Sequence, residues 1–96
     1  MAFTDSYDFD TLVNEAERMV IAELESQLRS AVGVCTCQDC VLDMAAFALN
    51  NVKPVYRVSL MGSVYAKSAG AAQYAQGVTR AVRDAIARVK ANPSHD

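Results

Sequence analysis

The chain has one histidine, no second one to pair it with a nucleophile, and few aromatic side chains (7% of 96 residues). It has no glycine-rich phosphate loop and no G-x-S-x-G turn, so the common catalytic constellations are excluded and the expected activity is non-catalytic. It also lacks a run of about 20 apolar residues that could cross a bilayer. The longest apolar stretch, Val41 to Leu49, is short and interrupted by Asp43. With no signal-peptide pattern either, the expected compartment is the cytoplasm. The low aromatic content leaves a hydrophobic fraction of 52%, mostly Ala and Val, which suits close-packed helices better than a sandwich core.

The acidic and basic residues are unevenly placed. Residues 1–50 carry a balance of −7 and residues 51–96 a balance of +5, within a net charge of −2. A basic half attracts an anionic ligand. The plainer account is that the two halves attract each other, across the fold or between subunits.

Apolar periodicity predicts three principal helices with a short extended segment or strand between the second and third. The first is expected over 9–31, capped by Asp8, with Tyr7 and Leu12 as a hydrophobic staple, Glu25 and Arg29 paired four apart, and Gly33 as its stop. The second is expected over 38–50, with Thr36 and Asp39 at capping-box spacing. It reads "DCVLDMAAFALN" and is apolar nearly all round, which predicts the buried centre of the fold. Asn50 and Asn51 suit its C-terminal cap, and Pro54 stops it. The stretch "PVYRVSLMG" reads as extended, with a bend at Gly62. The third helix starts at 63 or 68 and runs to 90. Ala71, Ala75, Val78, Val82, Ala85 and Val89 form a narrow small-residue seam on it, to pack within the chain or across a two-fold axis. Asp84 and Arg88 form a spaced pair. Gly77 inside this helix suits the close passage of a backbone or ligand. No internal repeat or linker interrupts residues 1–96, which read as one domain with frayed ends at 1–7 and 91–96.

All three cysteines lie in "CTCQDC": Cys35, Cys37 and Cys40. C-x-C-x-x-C entering a helix can aim three thiols at one centre, and the helix N-terminus favours the Cys40 thiolate. A structural zinc site takes four ligands. A fourth ligand is open between His95, Asp39, Asp43, a group of another subunit and solvent. The competing accounts are inert thiols packed at a helix start and thioredoxin-like redox chemistry, for which the βαβ context is missing.

Four pieces in order, "LVNEAERMV", "CTCQDC", "DMAAFALNNVKPVY" and a long Ala-rich final helix, resemble the late competence development protein ComFB family. The matching residues are Asn14, Glu17, the cysteines, Asp43, Ala48, Leu49, Asn50, Pro54 and Tyr56, with Gly62 at a fitting distance. The resemblance covers roughly residues 11–90. It implies a small, mainly helical domain that forms a homodimer. It implies zinc in cysteine-bearing members, usually on four cysteines, where this chain has three. It also implies that members act as receptors for cyclic dinucleotides such as c-di-GMP, linked to motility, pili and natural competence.

A cyclic dinucleotide has two phosphates and two purines, and so calls for cations, flat stacking side chains and amides. Residues 53–76 supply Lys53, Tyr56, Arg57, Tyr65, Lys67, Gln73, Tyr74 and Gln76. Arg57 and Lys67 are candidates for phosphates or a guanine edge, Lys53 for a further charge, Tyr56 and Tyr65 for stacking, and Gln73 for a base edge. The plainer roles are core packing for Tyr56, helix roofing for Tyr65 and Tyr74, solvated surface for the lysines and a cap for Asn50. The function expected is a c-di-GMP or c-di-AMP receptor that signals to a partner protein. The alternative is a zinc-stabilised dimeric interaction module. Nucleic acid is a distant third, since the net charge is negative and no base-reading motif is present.

Overall fold

A computed structural model describes residues 2–58 and 70–93. In chain order these form two 3-10 turns (Phe3–Asp5 and Phe9–Thr11), strand β1 (Val13–Asn14), helix α1 (Glu15–Leu28), helix α2 (Gln38–Leu49), strand β2 (Tyr56–Arg57) and helix α3 (Ala71–Ala91). Three helices with a short extended segment between the second and third are therefore present as expected. The sequence reading named only one extended piece. The structure adds β1, which pairs antiparallel with β2, Val13 opposite Arg57 and Asn14 opposite Tyr56.

That pairing shortens the first helix. Asp8 does cap something, but only the 3-10 turn over Phe9–Thr11, where its side chain accepts from the Asp10 N–H. Leu12 is extended. The cap of α1 is Asn14, whose Oδ1 accepts from the Ala16 N–H. The helix closes at Leu28, before Gly33, which turns the following loop at φ +71°. Tyr7 and Leu12 are both exposed, so they do not shield one another from water as a staple would.

The core is a seam of small and medium side chains shared by the three helices. Val20 and Leu24 come from α1, Cys40, Met44 and Ala48 from α2, and Val78, Ala81, Val82, Ala85, Ile86 and Val89 from α3. The seam expected on α3 is thus used inside the chain from Val78 onward, while Ala75 is exposed. Gln27 pins α1 to α3, its Nε2 donating to the Thr79 carbonyl at 3.0 Å and to Glu23 at 2.8 Å.

Three local expectations need correction. Helix α2 is not buried on all sides: Leu42 is 58% exposed, and its neighbours open into a groove. Arg88 does not pair with Asp84. Its guanidinium lies 4.9 Å from the centre of the Phe47 ring, and Asp84 meets Arg83 instead. A Cβ built on Gly77 meets nothing within 4 Å, so nothing among the described residues requires glycine there. The Glu25–Arg29 pair forms as expected, at 2.5 Å on the open face of α1.

Candidate functional site

Two sites are built around helix starts. The first is the corner where β2 meets the N-terminus of α1. Asn14 makes it, because one side-chain oxygen serves two segments: Oδ1 caps α1 and also accepts from the Val55 N–H at 2.7 Å. The Glu15 N–H donates back to the Val55 carbonyl at 2.7 Å. This exchange fixes the backbone under Tyr56 and Arg57.

Glu15 follows as the first residue of α1 and is the one buried charged residue among those described, at 4% exposure. Burial of a carboxylate is costly unless it is paired. Here one oxygen accepts from Arg57 Nε and the other from Arg18 Nη2, the latter at 2.6 Å. The hydrogen bond from Arg57 is the main reason its carboxyl sits below the ordinary value. Burial opposes that shift, and Arg18 adds to it.

Tyr56 projects from the same strand with 62% of its surface in water, so it is not the packed core residue that the plainer account expected. Lys53 is exposed nearby in sequence. Its carbonyl accepts from the Tyr74 hydroxyl at 2.5 Å, which ties the start of α3 to the segment before β2. Burial pushes the Tyr74 phenol up from its ordinary value. Gln73 is exposed beside Tyr74 in the first turn of α3. Tyr65 and Lys67 lie outside the described residues. The structure thus ties Lys53, Tyr56 and Arg57 to α1 and α3, while no hydrogen bond joins Gln73 to Tyr56. Asn50 acts as the C-cap of α2, and Glu17 is exposed on α1.

Glu15 escaped the sequence reading, which singled out Glu17. An acid in the first turn of an amphipathic helix ordinarily marks a solvated, dipole-favoured position. The charge asymmetry between the two halves was the available signal, since the pair joins an acid of the first to a base of the second.

The second site is the cysteine corner. Cys37, not Thr36, is the N-cap of α2, and its Sγ accepts from the Cys40 N–H at 3.5 Å. Cys40 is fully buried in the core, Cys35 is half-buried and Cys37 is exposed. The three Sγ atoms lie within 4.8 Å of one another. Thiolates about 2.3 Å from a common tetrahedral zinc sit roughly 3.8 Å apart, so the three can converge on one soft metal ion with small rotamer changes. Among the described residues neither Asp39 nor Asp43 joins this group, and His95 lies outside them.

Three helices and a two-stranded sheet thus carry a cysteine corner and a polar strand–helix corner. The family model for the late competence development protein ComFB matches residues 13–93, and the chain belongs to that family. It is similar to a solved structure of the late competence protein ComFB from Bacillus subtilis, with 28% identity and a TM-score of 0.72. The match covers 86% of this chain and 92% of the other. No curated protein matches. Among the described residues no helix is long and apolar enough to cross a membrane.

Proposed function

We propose that this chain is a non-catalytic cytoplasmic receptor for a cyclic dinucleotide, c-di-GMP or c-di-AMP, in motility or natural-competence signalling. The observation that carries the reading is the pair on β2. Tyr56 offers a 62% exposed ring, and Arg57, the next residue on the strand, has its guanidinium fixed by a buried carboxylate. A flat stacking face and a held cation carried on one short strand are what a purine and its phosphate need. Lys53 and Gln73 extend the polar surface, and Tyr65 and Lys67 are assigned to the same ligand by chemistry alone. The name of the Bacillus subtilis relative supports the link to competence.

The receptor works as a homodimer in this reading. A groove of about 590 Å³ runs between α1 and α2, bordered by Ile21, Leu28, Val41, Leu42 and Ala45. Such an apolar surface suits a second copy, and a two-fold axis suits a two-fold ligand. The signal passes to a partner protein, with no role for membrane or nucleic acid.

The test is thermal melting against c-di-GMP, c-di-AMP and GMP, with and without chelator. One cyclic dinucleotide should raise the midpoint with concentration as RT ln(1 + [L]/Kd), GMP should not, and the shift should survive chelation. No shift with either cyclic dinucleotide would end the reading.

The three converging thiols favour a second reading, a zinc-stabilised dimeric module that binds a protein alone. That module ignores nucleotides and loses stability with chelator.

A further inference from the structure

At the centre of the strand–helix corner is a carboxylate, and the two oxygens of Glu15 face different arginines. Arg18 is 73% exposed and touches one of them from solvent. Among the described residues Arg57 touches the other through Nε alone, and it keeps 23% of its side chain in water.

The way the carboxylate is shared matters. A closed bidentate pair would consume Nε and one Nη of Arg57 and leave little of the fork for a ligand. Here the second oxygen goes to Arg18, so Arg57 is gripped at the nitrogen nearest its stem. A guanidinium has five N–H donors, four of them on the two Nη atoms at its outer edge. The backbone beneath is fixed as well, since Arg57 lies opposite Val13 in register. A long side chain held this way has lost its rotamer freedom before any ligand arrives, which improves affinity.

We propose that Glu15 is the positioning residue of the anion contact: it holds Arg57 by Nε so that the Nη edge meets a phosphate group of the ligand. This rests on the corner being the cyclic-dinucleotide site. Glu15 touches no ligand itself, and Arg18 is not required.

The experiment is calorimetric titration of the full chain with c-di-GMP and c-di-AMP, at a temperature where circular dichroism shows each variant folded. Glu15→Ala should weaken binding about tenfold, the cost of ordering a free arginine on the ligand. Glu15→Gln keeps an acceptor oxygen at the same reach and should stay within about threefold of wild type. Arg18→Ala should do the same. An NMR spectrum of the Arg57 Nε–H, expected to be protected in wild type and Glu15→Gln and lost in Glu15→Ala, separates positioning from general loosening. Full affinity in Glu15→Ala with none in Arg57→Ala would overturn the inference and leave the receptor reading standing. No binding by wild type would end both. Should Glu15→Ala fail to fold, Glu15→Gln decides: tenfold weaker binding with the Nε–H still protected would overturn the inference, because charge and not position would then be the cause.

Discussion

Replacing Met44 by alanine is expected to cost about 2–5 kcal/mol, the range for deleting a long apolar side chain from a core that cannot fully collapse. Met44 is fully buried in the middle of α2 and sits in the cluster that joins all three helices. The surrounding side chains are mainly valine and alanine, stiff or small, and cannot swing into the space. A domain of this size loses about 4–8 °C per kcal/mol, so the midpoint should fall by roughly 10 °C or more. Leu42→Ala measured beside it probes the open face of the same helix. Leu42 is 58% exposed in the single chain, and its loss there should stay within about 0.5 kcal/mol. If a second copy covers the groove, the deficit of the Leu42 variant relative to wild type should instead grow with the logarithm of protein concentration, while that of Met44→Ala stays the same at every concentration. A Met44→Ala change under 1 kcal/mol by chemical denaturation would show that the core is not packed as described.

The second large effect is expected from zinc. Adding the ion to metal-free protein should stabilise it by about 2.7 kcal/mol when free zinc stands at a hundred times Kd. Cys37→Ser should abolish that gain without harming the metal-free protein. Cys37 is exposed, and its thiol caps the Cys40 N–H at 3.5 Å. A serine oxygen is a preferred N-cap acceptor, so the apo variant should be as stable as wild type or slightly more so. Cys40→Ala also removes a ligand, but it opens a hole in the core and lowers stability with or without metal. The two variants therefore separate liganding from packing. Equal zinc stabilisation of wild type and Cys37→Ser, by differential scanning calorimetry, would remove Cys37 from the metal site. Absence of any zinc effect on wild type would leave the thiols as a cap and a core residue.

How far the sequence could be read depends on the range of the interaction. Helix α2 and the end of α3 followed from local spacing and from the stops at Asn50 and Pro54. The start of α1 did not. Asp8 and Asn14 are both good caps, and Leu12 keeps helical spacing with Ala16 and Met19. What decides between them is the pairing of residues 13–14 with residues 56–57, which no local pattern carries. The cysteine cluster was legible as a convergent set, but its division into one cap and one core residue was not, since sulfur is an uncommon capping atom. The open face of α2 was misread because an all-round apolar helix looks the same whether its last side is covered by its own chain or by another. Glu15 was hidden twice: its position in the first turn suits solvent, and its partner stands 42 residues away.

The Tyr74–Lys53 bond gives the corner its own optical voice. The chain has four tyrosines and no tryptophan, so its ultraviolet emission comes from phenols alone. Tyr56 stands in water, whereas the Tyr74 hydroxyl donates to a carbonyl and its ring is half-buried. In an alkaline spectrophotometric titration the Tyr74 phenol should therefore ionise late, above the ordinary value of 10.0. The tie between α3 and the segment before β2 is intact below that value and is lost as pH rises through the raised one. Unlabelled protein thus carries a chromophore whose late ionisation reports on the joint between α3 and the segment before β2.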